Sequence, residues 1–242
     1  MYVHGHRGSP GFPRFGENTR TSFRKAISCG AKGLELDVRR CRDGTIVVIH
    51  DATIDRTTNG SGRVSDLTYA QLSRFDAGHG DPIPRLSDVL DEFGPICTLH
   101  IELKESGIAK DVADMVVERG LTEHVTLSAF DSDDNDKDAS SSWTDLASIG
   151  SRLPTALLAT RRKIERVGRE AFIDSARRLG AQAIHPSRDG ATPELIDLAR
   201  QSKLLVRIWT VNNPREALRW RDLGADSIIS DRPEACLKAL TT

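Results

Sequence analysis

Short apolar runs alternate along the chain with longer stretches in which apolar residues recur at helical spacing. Such short runs are typical of buried strands, and a period of about 3.6 residues is typical of amphipathic helices. Eight runs are predicted barrel strands, near residues 2–6, 34–39, 98–103, 125–129, 154–158, 183–185, 204–209 and 227–230. Helices are predicted near residues 20–29, 108–119, 164–179, 192–201, 214–222 and 232–240. This alternation predicts an α/β fold with a parallel sheet.

The chain length fits one barrel. A (β/α)8 barrel typically takes about 250 residues, and this chain has 242. We therefore predict a single TIM-barrel domain over residues 1–242.

A ninth apolar run, at residues 46–49, follows an Asp-Gly pair at 43–44 that is typical of a tight hairpin turn. So short a connection cannot join parallel strands, so we predict that this run returns antiparallel to the second barrel strand. Residues 51–95, with a short helix near 86–93, are then expected to form a small insertion lobe over the barrel mouth.

Three carboxylates lie on predicted strands in alternation with apolar residues. Glu35 and Asp37 alternate with leucines on the second barrel strand, and Glu102 lies between Ile101 and Leu103 on the third. Successive side chains of a strand point to opposite faces, so the three acids are expected to share the barrel interior. Burying carboxylates without a cation costs several kcal/mol. The cluster therefore requires either a metal ion or basic side chains, for which the sequence offers Arg7, Arg39 and Lys104.

Two histidines accompany the acids. His6 ends the first strand within a His-Arg-Gly sequence, and His50 follows the apolar run of the predicted hairpin. If Asp43 and Gly44 are the two turn residues, the register places Asp37 directly across from His50. An imidazole beside a carboxylate pair at a strand end is suited to acid–base chemistry.

Charge and cysteine usage narrow the range of functions. The net charge is −1 with both signs interspersed, which provides no basic surface for nucleic acid. The four cysteines lack metal-site spacing and are predicted to be unpaired in a reducing compartment. We predict no signal peptide and no membrane-spanning segment, and therefore a cytoplasmic protein. The acidic run at residues 131–138 lacks the glycine and glutamate of a calcium-binding EF-hand loop and is predicted to be a surface loop.

Taken in order, these motifs resemble the glycerophosphodiester phosphodiesterase family, part of the wider phospholipase-C-like phosphodiesterases. The resemblance covers nearly the whole chain, and so many pieces in one order are specific even though each is weak alone. The pieces are HRG at 6–8, ENT at 17–19, ELDV at 35–38, DG at 43–44, HD at 50–51, RTTNG at 56–60, IP at 83–84, IELK at 101–104, SAF at 128–130, WTVN at 209–212 and SDRP at 230–233.

The resemblance implies a metal-dependent enzyme that hydrolyses glycerophosphodiesters to glycerol 3-phosphate and an alcohol. Glu35, Asp37 and Glu102 would bind one divalent cation. Carboxylate ligands without cysteines or clustered histidines favour a hard ion, Mg²⁺ or Ca²⁺, over zinc.

The resemblance also implies roles for the surrounding residues. His6, Arg7 and His50 would be catalytic, Lys104 would hold phosphoryl oxygens together with Arg7, and Trp209 would line the glycerol site. One histidine would deprotonate the glycerol 2-hydroxyl, which attacks phosphorus, while the other protonates the departing alcohol. Water would then open the cyclic phosphate with the roles of the histidines exchanged. Either histidine could be the first base.

Two other functions stay open. One is a phospholipase-D-like activity on lysophospholipids, against which the lack of an evident apolar rim at the barrel mouth argues. The other is a non-catalytic phosphodiester-binding barrel, which would usually have lost one of the histidines or acids, whereas all are present. The expected partner is a small phosphodiester, and the sequence leaves the oligomeric state open.

Overall fold

A closed barrel of eight parallel strands forms the centre of the computed structural model, which describes residues 1–11, 16–132 and 143–241. The barrel closes because β1 pairs with both β2 and β9. The strands are β1 (Tyr2–His6), β2 (Gly33–Arg40), β3 (Ile46–Val48), β4 (Thr98–Leu103), β5 (Val125–Ala129), β6 (Thr155–Ala159), β7 (Ala183–Pro186), β8 (Leu205–Ile208) and β9 (Ser227–Ser230). The extra strand β3 is antiparallel to β2. The predicted TIM barrel is thus confirmed, whereas residues 133–138 of the acidic run lie outside the described residues.

Helices surround the barrel in the described part of the chain. They are α1 (Arg20–Ser28), α2 (Tyr69–Leu72), α3 (Leu86–Phe93), α4 (Ala109–Glu118), α5 (Trp143–Ala147), α6 (Arg161–Val167), α7 (Arg169–Arg178), α8 (Pro193–Gln201), α9 (Pro214–Asp222) and α10 (Pro233–Leu240). Proline at the first position of α8, α9 and α10 presets the helical φ angle. None of these helices is long and apolar enough to cross a membrane.

The helices differ from the sequence-based expectation in two respects. The helix predicted near residues 164–179 is two helices, α6 and α7, because Gly168 between them adopts a φ of +86°. The short helices α2 and α5, of four and five residues, were not predicted. Both are too short for a helical period to emerge from the pattern of apolar residues.

The loop of the hairpin after β2 has three residues instead of the predicted two. The Cys41 N–H donates to the Thr45 carbonyl at 2.9 Å, which leaves residues 42–44 as the loop. Gly44 occupies its last position with a φ of +88°. A left-handed residue at this place is typical of three-residue hairpin loops.

The longer loop shifts the hairpin register by one residue. Val38 pairs with Val48, and the Ile49 N–H donates to the Asp37 carbonyl at 2.9 Å. The prediction that His50 lies directly across from Asp37 is therefore wrong. Because β3 ends at Val48, the side chain of His50 does not follow the alternation of a strand.

Two hydrophobic cores support the molecule. The larger one lies between the outward faces of the barrel strands and the helices, and it includes the apolar side chains of α3. A smaller core underlies the chain that follows the hairpin. Its members are Cys41, Val47, Ile49, Ile54, Val64, Leu72, Ala77 and Ile83. All four cysteines are free, as predicted.

Polar side chains occupy much of the barrel interior. Branched apolar residues are usual there in such barrels. We refer to His4, His100, His185 and Arg207 as the polar layer. His100 Nε2 and His4 Nδ1 share a hydrogen bond of 2.9 Å, and Arg207 Nη1 donates to His185 Nε2 at 3.3 Å. The three imidazoles are almost fully buried. Gly33 provides their space, because a Cβ at this position would lie 2.5 Å from His4 Nδ1.

We expect Gly33→Ala to lower the free energy of unfolding by about 2–3 kcal/mol, near the upper end for overpacking. The added methyl group would also meet the Thr98 carbonyl oxygen at 2.6 Å, which cannot move without disturbing β4. Urea unfolding measures the change. Gly120→Ala is the control, since its Cβ would meet nothing within 4 Å and only its left-handed φ would cost about 1 kcal/mol. An equal or smaller loss for Gly33→Ala would contradict the close packing around the polar layer.

Candidate active site

The residues predicted from the sequence meet at the carboxyl end of the barrel. The parallel register places His6 beside Glu35 and Asp37 beside Glu102 on neighbouring strands. A cavity of about 250 Å³ opens there. Its walls include His6, Arg7, Glu35, His50, Glu102, Lys104, Ser128, Phe130, Leu158, Thr160, His185, Trp209 and Ile229. This is the end at which TIM-barrel enzymes carry their chemistry.

Glu35, Asp37 and Glu102 form a buried cluster whose potential ligand atoms all lie within 4.8 Å of one another. Each carboxylate accepts a hydrogen bond from the protein at one of its oxygens. The Arg7 backbone N–H donates to Glu35 Oε2 at 3.1 Å, and the Lys104 ammonium donates to Glu102 Oε1 at 2.6 Å. The predicted salt bridges and the predicted metal ligands therefore occupy the same place.

Asp37 shows that these cations do not saturate the cluster. Its Oδ2 accepts a hydrogen bond from Asn18 Nδ2 at 2.9 Å and pairs with Arg7 Nε at 3.1 Å. Its Oδ1 is buried without a hydrogen-bond partner among the described residues, and Lys104 Nζ is 3.9 Å away. A buried carboxylate oxygen without a donor is costly, and oxygen atoms are the ligands that Mg²⁺ and Ca²⁺ prefer. The cluster thus fits a hard divalent cation.

The acids differ in their pKa values. Burial, and next the charge of Asp37, raise the pKa of Glu35. Burial also raises the pKa of Glu102, against the opposing charge of Lys104. Burial alone would raise the pKa of Asp37, but Arg7 and Lys104 outweigh it and hold that pKa below its usual range. The fixed cations therefore favour the charge on Asp37 and leave Glu35 and Glu102 undercompensated.

Arg7 reaches this cluster because the chain turns sharply after β1. Its backbone is left-handed, with a φ of +50°, which is uncommon for a residue with a side chain. The turn directs its N–H to Glu35 while its guanidinium pairs with Asp37. A side chain at the next residue, Gly8, would collide with Ser22 of α1. The His-Arg-Gly sequence thus has a geometric basis.

His6 is held by a carboxylate from the far end of the chain. Its Nδ1 lies 2.6 Å from Asp231 Oδ1, and its Nε2 lies 3.8 Å from Glu35 Oε2. Asp231 is itself fixed, since it accepts from Asn212 Nδ2 at 2.6 Å. Burial opposes the charged imidazole, but the hydrogen bond to Asp231 and the charge of Glu35 outweigh it and raise the pKa of His6. Because an ionised carboxylate only accepts, Nδ1 carries the proton, and proton exchange is left to Nε2.

His50 has a matching arrangement. Its Nδ1 lies 2.7 Å from Asp51 Oδ1. Arg56 Nε donates to Asp51 Oδ2 at 2.6 Å, and its Nη1 donates to Glu17 Oε2 at 2.8 Å. Glu17 in turn accepts from Arg7 Nη1 at 2.9 Å. One chain of ion pairs therefore orients both His50 and Arg7.

The two remaining predicted residues, Lys104 and Trp209, both lie beside Phe130 in the cavity wall. Lys104 is buried against Glu102, with its Nζ 5.7 Å from the centre of the Phe130 ring. Trp209 Nε1 donates to the His185 carbonyl at 2.7 Å, and its ring meets Phe130 edge to face at 5.6 Å. The aromatic pair provides apolar surface in the cavity wall next to Lys104.

Asp51 and Asp231 complete the site, although their positions in the sequence motifs predicted no role for them. Asp51 directly follows His50, and Asp231 follows the last barrel strand, where the ends of parallel strands meet. These positions could have identified both aspartates as candidate site residues. The partnership of His6 and Asp231 spans 225 positions and has no local signal. Arg39, offered as a salt-bridge partner of the acids, donates to the His50 carbonyl at 2.8 Å and helps to hold that residue.

Known proteins match this chain over most of its length. A glycerophosphodiester phosphodiesterase of Caldanaerobacter subterraneus subsp. tengcongensis is 32% identical over 234 residues, covering 91% of this chain and 90% of the relative. One of Bacillus altitudinis is 30% identical over 252 residues, covering 98% and 96%. The crystal structure of an Agrobacterium tumefaciens glycerophosphodiester phosphodiesterase superposes with a TM-score of 0.83 at 25% identity, covering 98% and 99%.

The matching region also contains every candidate residue of the site. The sequence profile of the glycerophosphoryl diester phosphodiesterase family matches residues 6–235, from the first candidate histidine to the helix that follows the last strand. The chain therefore belongs to the glycerophosphoryl diester phosphodiesterase family.

Proposed function

We propose that this phosphodiesterase hydrolyses water-soluble glycerophosphodiesters to glycerol 3-phosphate and an alcohol, with one bound Mg²⁺ or Ca²⁺. The observation that carries the proposal is a pair of imidazoles, each with a carboxylate on Nδ1, at the cavity that contains the three-acid cluster. A phosphodiesterase of Oleispira antarctica with the same fold, at a TM-score of 0.81 and 24% identity, has been solved with the product sn-glycerol-3-phosphate. That product complex supports the choice of substrate.

Glu35, Asp37 and Glu102 would hold the cation, with the unpartnered Asp37 Oδ1 among its ligands. When bound, such an ion offsets the negative charge of a phosphoryl group and lowers the pKa of a hydroxyl group that it contacts. Arg7 and Lys104 would hold the phosphoryl oxygens on the charged side of the cavity. The Trp209 ring would contact the carbon atoms of the glycerol.

The two histidines would move the protons. The Nε2 atom of one takes the proton of the glycerol 2-hydroxyl as that oxygen forms a bond to phosphorus, and the other gives a proton to the departing alcohol oxygen. Water then opens the cyclic phosphate with the two roles exchanged. Because Asp231 and Asp51 hold His6 and His50 in the same way, each imidazole can serve as acid or base.

We also propose a domain organisation, a cellular compartment and a class of partner for this protein. We take residues 1–242 as one domain in which residues 51–95 form the lobe at the mouth, and the separate small core beneath residues 54–83 supports the lobe. Four free cysteines support a reducing, cytoplasmic setting. The balanced charge supports a small-molecule partner over nucleic acid.

Removal of divalent metal should abolish activity. Dialysis against chelator is expected to lower turnover of glycerophosphocholine to background, and added Mg²⁺ or Ca²⁺ should restore it, because Glu35 and Glu102 lack sufficient fixed cations. Asp37→Asn should lose the metal response. Glu105→Gln is the matched control, since Glu105 accepts from the Arg40 backbone N–H and is not part of the cluster. Full turnover by metal-free protein would refute the assignment.

His6→Ala and His50→Ala should each lower kcat by roughly 10²–10⁴, the usual contribution of a general acid or base. Asp231→Asn should lower kcat by roughly 10–10², the scale seen when the support of an essential side chain is removed. Steady-state kinetics, with circular dichroism to verify the fold, measures both. His124→Ala is the control, because His124 is exposed at the other end of the barrel. Near-normal kcat in either alanine variant would make that histidine structural.

The proposed nucleophile is the hydroxyl group of the substrate, so a 2-deoxy analogue of glycerophosphocholine should turn over negligibly. The glycerol 1,2-cyclic phosphate should in turn be accepted as a substrate. Product analysis by phosphorus NMR distinguishes these outcomes. Rapid hydrolysis of the deoxy analogue would show that water attacks directly, and preference for long-chain lysophospholipids over water-soluble diesters would replace the proposed substrate class.

A further inference from the structure

A second and larger cavity, of about 740 Å³, lies at the opposite end of the barrel from the candidate active site. The first residues of four barrel strands, Tyr2, Thr98, Leu205 and Ser227, line it. His4, His100 and Arg207 of the polar layer also line it, whereas His185 of that layer lines the upper cavity. The polar layer therefore separates two cavities, and the lower one contains none of the candidate catalytic residues.

Arg207 is the exceptional residue of this lower cavity. It lies inside the barrel, and its one side-chain hydrogen bond among the described residues is the contact with His185. No carboxylate oxygen in the described ranges lies within 4.0 Å of its guanidinium nitrogens. Asp226 also lines the cavity, but its Oδ2 accepts from the Val206 N–H at 2.8 Å. Most donors of a partly buried guanidinium are thus left without a protein acceptor.

The electrostatics agree with this geometry. Burial lowers the pKa of Arg207 to about 10, and the charge of Asp226 offsets only part of that effect. The side chain therefore stays cationic at neutral pH with incomplete compensation. Burial lowers the pKa of His4 to about 3, so that imidazole adds no competing positive charge.

A second unpartnered group lies next to the arginine. Ser227 pairs with Arg207 in the register of β8 and β9. Its hydroxyl oxygen is buried without a hydrogen-bond partner among the described residues. Such groups are rare in native proteins and call for a partner such as a bound water, an ion or a ligand. A guanidinium and a hydroxyl at adjacent positions provide donors for the two oxygens of one carboxylate.

The other residues of the lower cavity indicate the chemistry of the part of the ligand that does not contact Arg207. Tyr2 and Leu205 present apolar surface at the rim, where their side chains are 62% and 42% exposed. Glu123 and Asp226 also line the cavity and offset the charges of Arg207 and Lys32, which leaves no excess positive charge for a multiply charged anion. The volume of about 740 Å³ falls within the usual range for small-molecule sites. These features favour a singly charged organic acid over inorganic phosphate.

We propose that the amino end of the barrel is a binding site for an organic monocarboxylate, whose carboxylate contacts Arg207 and Ser227 and whose apolar body contacts Tyr2 and Leu205. This site is separate from the phosphodiesterase site and does not depend on the proposed function.

The test compares three probes by isothermal titration calorimetry and ligand-observed NMR: benzoate, its neutral analogue benzamide, and inorganic phosphate. Benzoate should bind the wild-type protein at least tenfold more tightly than the other two. Arg207→Met should weaken benzoate binding about tenfold or more, the scale expected for a lost hydrogen bond to a charged group. Leu205→Glu, at the exposed rim, should weaken it as well through repulsion, and it leaves the polar layer unchanged.

Two control variants complete the experiment. Arg215→Met removes an exposed arginine that lines neither cavity and should leave binding unchanged. Lys104→Met removes a cation of the candidate active site and should also leave binding unchanged. Equal affinity for benzamide, phosphate binding as tight as that of benzoate, unchanged affinity in Arg207→Met and Leu205→Glu, or loss of binding in Lys104→Met would each overturn the proposal.

Discussion

The site depends on charge compensation at the adjacent ends of β2 and β4. Asp37 and Glu102 are register partners, and Glu35 lies two positions below Asp37 on the same face, so three buried carboxylates lie close together at the base of the cavity. Such a cluster can exist only where cations or donors surround it. Arg7, Lys104 and Asn18 come from three different segments to do so. The turn after β1, the approach to α1 and the end of β4 are therefore arranged around one electrostatic requirement.

Basic side chains compensate the charge of the three carboxylates only in part, and this has a chemical consequence. The guanidinium of Arg7 and the ammonium of Lys104 stabilise the charge on Asp37, yet Asp37 Oδ1 has no donor in the described structure. A fully neutralised network would be purely structural. A network that keeps excess negative charge and an unpartnered carboxylate oxygen is instead suited to a metal ion and then to an anionic substrate. The carboxylates of Asp231 and Asp51 likewise fix the orientation of the two imidazole rings, which the proposed proton transfers require.

The barrel interior below the site continues this polar character. In many TIM barrels, layers of branched apolar residues fill this space, whereas here three buried imidazoles and a guanidinium occupy it, with Gly33 giving room for one ring. The apolar side chains that stabilise the fold lie outside the strands, against the helices. Stability thus comes mainly from the outer layer. The interior is left available for polar contacts at both of its ends.

The sequence by itself determined the strands, most helices and the inward direction of the three acids, because hydrophobic periods of 2 and 3.6 residues are local properties of the chain. It also placed His6, Glu35, Asp37, His50 and Glu102 near one another, since the ends of parallel strands meet at one end of a barrel. Only the tertiary structure determined the features that no local sequence pattern encodes. Gly44 became the last residue of a three-residue loop, so the register moved by one and Ile49 took the place expected for His50. Closure of the barrel put β9 beside β1 and thereby brought Asp231 to His6 from 225 positions away, because the pairing of first and last strands is a property of the closed sheet and not of either segment.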